Sequence, residues 1–438
     1  MSITSSYQVQ IIDTSNLFRP TLRIYREAVS FLIKIYHQEW DFLSGIEKPK
    51  ARFNAAEHLV HSTKANKAKY DFDNQFYKMP SYLRRAATQD ALGCVSSYIS
   101  NLKNWETHGK KGKPPKLQSN RFVTPTFYKA GMYLPGEEAN TAHIKLFVRN
   151  DWVWVKVKLR STDVKYLQRY WSHCTPSAPT LEKRYGKYYL RFAFTESVKL
   201  NTSKPLDQRI CAVDLGINSD AVCSIMDVTG TVLARKFINF PGEKDRLCRV
   251  LNRIKKFQRK NGSQNTQSFW AYARRLNDEL SKKIAASIVE YAALQKADCL
   301  VFEYLSFRGQ KVHGSKAQRL SLWRKNGIQD YAEHKAHRCG IRVSHVCAWG
   351  TSRLAYDGSG TVQRNEKNHA LAVFQTGKQY NCDLSASYNI GARYFIRELL
   401  KPLPEKVRSA LSANVPEVQR RTLCTLNTLL QLNAALAA

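Results

Sequence analysis

Apolar positions recur at two spacings along this chain, and the switches between them mark its organisation. Tyr7–Asp13 alternates and predicts one short strand. From Asn16 to about Thr107 the spacing lengthens to the helical three to four, with aromatic and basic residues interleaved: Tyr25, Phe31, Tyr36, Trp40, Arg84, Arg85, Tyr98 and Trp105. Pro80-Ser81 reads as a helix start within that block. After a basic loop at 109–116, alternation returns over 121–197. His143–Val148, Trp152–Leu159 and Lys187–Phe194 predict strands there, the last following a Tyr-Gly-Lys turn. The first strand could pair into this later sheet, which would leave the helical block as an insertion.

A polar stretch, Glu196–Gln208, reads as a linker. Beyond it come three runs, Ile210–Asn218, Ala221–Asp227 and Thr231–Phe240, with connections short enough for an antiparallel meander. A helical block over about 243–297, an apolar strand at Cys299–Phe302, a helix near 326–338, a strand at 341–347 and a helix from 383 to about 400 complete the pattern. Three antiparallel strands, then helix–strand–helix–strand–helix, is the order of an RNase H-like fold. The tail, 401–438, is predicted helical with interruptions at Pro402, Pro404 and Pro416. There is no internal repeat.

Charge changes the picture. Of 438 residues, 69 are Lys or Arg against 35 Asp or Glu, a formal net charge of +34. An excess of that size repels itself unless a polyanion neutralises it, and nucleic acid is the natural partner. No apolar run approaches the ~18–20 residues of a membrane span, and no secretory leader is evident. The expectation is therefore no membrane partner and a soluble protein of the cytoplasm. The ten cysteines are scattered singly, without any Cys-x-x-Cys pair, so neither a disulfide framework nor a paired-cysteine metal site is expected.

Three carboxylates carry the candidate chemistry: Asp214 and Glu303, each after an apolar run, and Asp383 at a helix start. In the first strand Ile210, Ala212 and Asp214 share one face and Cys211, Val213 and Leu215 the other. If the strand carrying Glu303 runs parallel to it, both acids emerge at one sheet edge, where open α/β sheets place their sites. Ala386, Ile390 and Tyr394 recur at four-residue steps, so that face of the last helix can pack on the sheet and aim Asp383 at the other two. Separations of 89 and 80 residues (303−214, 383−303) leave their meeting to tertiary structure. Hard oxygen ligands suit Mg²⁺ or Mn²⁺, and two such ions roughly 3.5–4 Å apart, bridged by Asp214, would serve phosphodiester hydrolysis. Asp214, Glu303 and Asp383 are thus both the catalytic and the metal-binding candidates.

Basic residues supply candidate nucleic-acid contacts. Over Glu243–Lys260, Leu247, Val250, Leu251, Ile254 and Phe257 fall on one helical face, while Arg246, Arg249, Arg253, Lys256 and Lys260 advance along another. Lys110, Lys111 and Lys113, with Lys116, form a looser cluster. Gly309–Gly314 reads as a flap near Glu303.

Asp-Leu-Gly-Ile at 214–217, Glu303 after its apolar run, and Asp-x-Ser-Ala-Ser-x-Asn-Ile at 383–390 resemble the split RuvC nuclease motifs of transposon-encoded TnpB proteins. They also resemble those of the compact type V CRISPR effectors descended from them. The motif match covers about 208–400, and 1–197 fits more loosely. Segment Asp73–Arg85 is similar to the family's recognition-lobe helix that meets target DNA, which implies contacts from Asn74, Gln75, Arg84 and Arg85.

The resemblance implies an α+β multidomain chain in which a helical recognition lobe is inserted in a wedge-like β-barrel, followed by an RNase H-like (RuvC) nuclease domain with a ribbon insertion. The implied segments are a wedge strand at 1–14, the recognition lobe at 15–118 and the wedge barrel at 119–200. The nuclease would occupy 208–347 and 382–400, around a ribbon at 348–381 and before a helical tail at 401–438. It implies RNA-guided cleavage of double-stranded DNA, with guide RNA and target DNA as partners and Mg²⁺ or Mn²⁺ as cofactor. A guided binding protein that does not cut, and an unguided resolvase or transposition nuclease, stay open, as do monomer and dimer.

The family usually holds zinc in the ribbon through two Cys-x-x-Cys pairs. This chain keeps Thr351-Ser352, but Ala355 and Gly358 stand where the first pair would be and Thr376-Gly377 where the last Cys-Gly would be. Zinc needs four soft or imidazole ligands, so no zinc is expected and Asp357–Gly360 is read as a plain turn. The neighbouring His337, Cys339, His345 and Cys347 are read as ending a helix and lining a strand.

Overall fold

A computed structural model describes residues 1–12, 16–117, 123–128, 131–216, 219–262, 265–304, 324–365, 368 and 370–437. The proposed flap at Gly309–Gly314, and Asp13, Ile217 and Asn218, lie outside the described residues. The chain divides into two units, Ser2–Glu196 and Ser197–Ala438 with Met1. The division falls at the start of the polar stretch that follows the last alternating run.

The first unit begins with β1 (Ser2–Ile11), which buries Ile3, Ser5, Val9 and Ile11. It starts earlier than the strand expected at 7–13, because Ser and Thr at alternate solvent positions hide its period. The helical block follows as α1 (Phe18–Gln38), α2 (Trp40–Ser44), α3 (Pro49–Val60), α4 (Phe72–Gln75) and α5 (Ser81–Thr107). In α1, Leu22, Tyr25, Val29, Leu32 and Tyr36 form one apolar stripe against α5. Buried polar tips find partners: Tyr25 donates to Asp90 Oδ2 at 2.6 Å and Tyr36 to Thr88 Oγ1 at 3.2 Å.

The strands β2 (Tyr133–Pro135), β3 (Thr141–Val148) and β4 (Asp151–Lys158) form one antiparallel sheet. A helix that the alternation did not reveal, α6 (Ser161–Trp171), precedes β5 (Thr180–Arg184) and β6 (Lys187–Ser197). The first strand does pair into the later sheet, in the order β1-β6-β5. The expected barrel is corrected: the described residues form two three-stranded sheets, joined by the single bridge Ile11↔Leu159, and no closed barrel. Closure needs a continuous hydrogen-bonded circuit, and among the described residues β2 is an edge strand that pairs only with β3.

In the second unit, β7 (Ile210–Asp214), β8 (Ala221–Met226) and β9 (Val232–Ile238) form the expected antiparallel meander. The helical block predicted as one piece is two helices, α7 (Pro241–Asn261) and α8 (Gln267–Leu294). Then come β10 (Cys299–Tyr304), α9 (Lys325–Arg338), β11 (Arg342–Cys347), a ribbon of β12 (Gln363–Arg364), β13 (Leu371–Val373) and β14 (Gln379–Asn381), α10 (Cys382–Leu400), α11 (Glu405–Asn414) and α12 (Leu426–Ala437). The central sheet runs β11-β10-β7-β8-β9, with β10 parallel to both neighbours.

This sheet is covered on both faces, so its inner strands are apolar apart from Asp214, Ser224 and Glu303. Ile210, Ala212, Cys299 and Val301 face a core built with α10 and α12. Cys211, Val213, Leu215, Leu300 and Phe302 face one built with α8 and α9. The alternation read from the first strand is therefore the actual partition of faces. Ala386, Ile390 and Tyr394 are buried, which seats α10. Among the described residues no helix is long and apolar enough to cross a membrane.

Gly391 sets how closely α10 approaches the sheet: a Cβ there would meet Met226 Sδ at 3.0 Å and Ala212 Cβ at 3.4 Å. Gly391→Val, bulkier still, is expected to destabilise the chain by about 1–3 kcal/mol through overpacking. Urea unfolding of the full chain checks this, and an unchanged midpoint would contradict the close approach.

Candidate metal centre

The register of β10 on β7 pairs Cys299 with Ile210, Leu300 with Cys211 and Val301 with Ala212. Carried forward two residues, it sets Glu303 beside Asp214 on the neighbouring strand, and alternation points both toward the face that α10 covers. Asp383 reaches the same place differently. Asn381 ends β14 and caps α10, its side chain accepting from Leu384 N at 2.9 Å, so Asp383 lies in the first helical turn. The partial positive charge at a helix N-terminus favours a carboxylate there.

Asp214 and Glu303 are 8% and 7% exposed, and Asp383 is half-buried. Burial pushes the Asp214 carboxyl well above the usual carboxylate range; the charges of Glu303 and Asp383 push it further, and Arg364 opposes them. Glu303 is raised mainly by burial, against which the Thr351 hydroxyl and the Arg393 charge act. Among the described residues no donor hydrogen-bonds the Asp214 carboxylate. Buried, mutually repelling oxygens with lone pairs to spare are a donor set that fits a hard divalent cation.

The three carboxylates do not all lie within 4.8 Å of one another; among the described residues only His173, Cys174 and Glu196 do so. Oxygens on one Mg²⁺ at ~2.1 Å sit at most ~4.2 Å apart. The acids as placed are therefore no closed single-ion cage. Two ions ~3.5–4 Å apart and sharing one carboxylate impose no such limit on the outer pair.

The other polar residues of the 383–390 segment hold the surroundings together. Ser385 Oγ accepts from Tyr356 N at 3.2 Å, tying α10 to the ribbon. Ser387 meets Ser224 of β8. Asn389 Nδ2 donates to the carbonyls of Thr351 (3.0 Å) and Leu354 (2.9 Å), and its Oδ1 accepts from Leu426 N at 3.1 Å. Thr351, so fixed, donates its hydroxyl to Glu303 Oε1. Gln329 of α9 donates to the Glu303 carbonyl at 2.9 Å. Arg393 spends its guanidinium on the carbonyls of Cys347, Trp349, Thr422 and Cys424 at 2.7–3.0 Å. Sequence reasoning had no role for Thr351, Gln329, Arg364 or Arg393. Thr351-Ser352 stood out as a retained motif, the one signal available.

The ribbon has an aromatic centre where the resemblance would put metal. Tyr356 meets Phe374, Tyr380 and Tyr388 edge-on at 5.1–5.6 Å, and Lys378 donates to the Tyr356 hydroxyl at 2.6 Å. Ala355, in the place of a family cysteine, is fully buried, and Phe374 is 2% exposed. The turn at Asp357–Gly360 closes through Ala355 N to Gly360 O at 2.9 Å, with Gly358 and Gly360 at φ of 79° and 112°. His337 and Cys339 stand at the end of α9 and His345 and Cys347 in β11.

The nucleic-acid candidates divide by exposure. Arg246, Arg249, Arg253, Lys256 and Lys260 are all exposed along α7, whose Ile254 is buried and whose other apolar residues are half-buried. Arg253 lies over the Phe269 ring, and Arg246 donates to the Tyr272 hydroxyl at 2.7 Å. Asn74, Gln75, Arg85, Lys110, Lys111 and Lys113 are exposed in the first unit. Arg84 is buried, facing Glu57 at 3.6 Å and Asp73 at 3.8 Å, so it braces α5 rather than presenting a cation to solvent.

Residues 2–148 match the model of the Aq_aa04 family, about a third of the chain. An uncharacterised protein, aq_aa04 of Aquifex aeolicus (strain VF5), is 28% identical over 124 residues, 26% of this chain and 67% of that protein. Among solved structures the chain is similar to Cas12f1 in complex with sgRNA and target DNA, at 14% identity and a TM-score of 0.49, over 78% of this chain and 73% of that one. It is also similar to CasPhi-2 (Cas12j) bound to crRNA, at 10% identity and a TM-score of 0.47, over 89% and 97%.

If the aromatic cluster holds the ribbon, Phe374→Ala should cost about 3–5 kcal/mol of local stability. Hydrogen exchange of the 371–381 amides is expected to quicken in that variant and to be indifferent to a zinc chelator. Chelator-sensitive protection in the ribbon of the unaltered protein would refute a metal-free core.

Proposed function

We propose that this chain is an RNA-guided DNA endonuclease with an RNase H-like catalytic unit. The observation that carries the reading is the β7–β10 register, which sets Asp214 and Glu303 side by side beneath the helix that opens with Asp383. Asp214, Glu303 and Asp383 would hold two Mg²⁺ or Mn²⁺ ions. When bound, such ions polarise a phosphodiester and lower the pKa of the attacking water. The residues around them do the remaining work. Thr351 and the β-register fix the Glu303 carboxylate, Asn389 fixes Thr351, and the helix start orients Asp383.

Partners follow from charge and from the motifs. A formal charge of +34 calls for a polyanion. The exposed cations of α7 are spaced to follow a phosphate backbone. The Asp-Leu-Gly-Ile, Glu303 and Asp-x-Ser-Ala-Ser-x-Asn-Ile set resembles effectors in which base pairing to a guide supplies sequence specificity and protein contacts read a short flanking motif. Guide RNA and target double-stranded DNA are therefore the partners proposed.

The protein purified with its co-purifying RNA is expected to cut matching DNA in Mg²⁺. Asp214→Asn, Glu303→Gln and Asp383→Asn should each lower cleavage by more than the ~10–100-fold that outer-shell changes cost at metal sites, with target binding retained. Thr351→Val, one shell out, should fall within that range. Full cleavage in any of the three acid variants would remove the assignment, and cutting without RNA would remove the guided part of it. Neutralising Arg249, Lys256 and Lys260 together should weaken DNA or RNA binding. Each lost phosphate contact should flatten the slope of log K against log salt by about 0.7–0.9. An unchanged slope would mean that α7 is a solvated face.

A further inference from the structure

We propose that His173, Cys174 and Glu196 form a binding site for a divalent transition cation of the zinc class, contained within the unit Ser2–Glu196. The proposal does not rest on the nuclease reading, and it narrows the expectation of a zinc-free chain to the ribbon.

The side-chain Nε2 or Nδ1, Sγ and carboxylate oxygen of these three residues all lie within 4.8 Å of one another, and His173 Nε2 stands 3.4 Å from Glu196 Oε2. Zinc bonds of ~2.0–2.3 Å in a tetrahedron put ligand atoms about 3.3–3.7 Å apart. The His–Glu edge already has that length, and the remaining closure is a matter of side-chain rotation.

The backbone sets this meeting up. Pro176 bridges Phe194, and Ser177 N donates to Ala193 O at 2.8 Å. Continued two residues outward, this antiparallel register sets Cys174 opposite Glu196 on the end of β6, on one face. His173 comes from the turn that follows α6. Its ring stacks on Trp171 at 6.0 Å and 17°, and Trp171 is itself pinned against Tyr7 and Phe194 at 5.1 and 5.0 Å. This stacking flanks the ring on one side while its Nε2 faces Glu196.

The chemistry of the donors selects the ion. One thiolate and one carboxylate neutralise a divalent charge, and a neutral imidazole completes a three-ligand set. Sulfur with imidazole favours zinc-class ions over Mg²⁺. The His173 side chain is 59% exposed, which gives the ion an approach from solvent and leaves a fourth position for water. A surface His–Glu pair alone is worth only ~0–1 kcal/mol and gives no role to the thiol.

The test uses the full chain, stripped with chelator and titrated with Co²⁺ in excess Mg²⁺. One equivalent per chain is expected to bind with a thiolate-to-cobalt charge-transfer band, bleached by Zn²⁺. Cys174→Ser should abolish the band, whereas Cys94→Ser, altering another half-buried thiol of the same unit, should leave it. Glu196→Gln should weaken Co²⁺ binding by more than the ~10–100-fold of an outer-shell change. Zn²⁺ should also raise the Tm of the unaltered chain and not that of Cys174→Ser. No band, or a band that survives Cys174→Ser, overturns the site. Should Cys174→Ser fail to fold, unchanged Co²⁺ affinity in Glu196→Gln overturns it equally.

Discussion

Three carboxylates brought to one face of a buried sheet repel each other, and the second unit is organised around tolerating that repulsion. Like charges about 5 Å apart cost about 3 kcal/mol at an effective dielectric of 20, and burial adds to it. An arrangement of that kind relaxes by moving apart unless its supports are rigid. Here each acid is held by a different device. Asp214 is fixed by strands on both sides, Glu303 by its register and by Thr351, and Asp383 by the cap at Asn381. The nearby cations are unequal to cancelling the charge. Arg393 has its guanidinium committed to four backbone carbonyls, and Arg364 is exposed on the ribbon.

The 383–390 segment carries one carboxylate in its first turn and several polar residues that tie the helix to its neighbours. Ser385, Ser387 and Asn389 are all buried, pointing to different sides of α10, and each reaches a different element: the ribbon, β8, and the Thr351–Leu354 turn. Buried hydroxyls and amides cost free energy unless paired, so these contacts lock the helix in one rotation and thereby aim Asp383. The same helix carries Tyr388 into the aromatic centre of the ribbon. Tyr356, Phe374, Tyr380 and Tyr388 bring several kcal/mol of apolar burial and ring contact to a small β-element, which has little other core of its own.

How much was legible in the sequence varied with the range of the interaction. Alternation in Ile210–Leu215 was readable because a side-chain period of two is local, and it named the correct face for each residue. Parallel pairing of Cys299–Phe302 with that strand was readable from the element order. The break that divides α7 from α8 is signalled by the polar run Asn261-Gly-Ser-Gln-Asn-Thr266; Gly262 adopts φ of 68°. Helix α6 carries only a short helical stripe, Val164, Leu167 and Trp171, set between runs that alternate, and the alternation masked it. Arg84 looked like one more cation, because its burial depends on acids 27 and 11 residues away, Glu57 and Asp73. Thr351 reaches Glu303 from 48 positions along the chain, and no spacing rule predicts such a contact.

The basic helix α7 shows how charge and stability are coupled in this chain. Its five candidate cations are exposed along one side, yet Ile254 is its only fully buried residue. Most helical stability in proteins comes from a buried face, so α7 rests on thin support: half-buried Leu247, Val250, Leu251 and Phe257 against α8, with Phe257 and Phe269 in ring contact at 5.5 Å. Mutual repulsion of the cations works against it. A phosphate backbone laid along that side would remove the repulsion and add attraction at once, and so would stabilise the helix by mass action. High salt would weaken the contact and the repulsion together. A helix with this little burial and this much charge would gain stability from any polyanion laid along it.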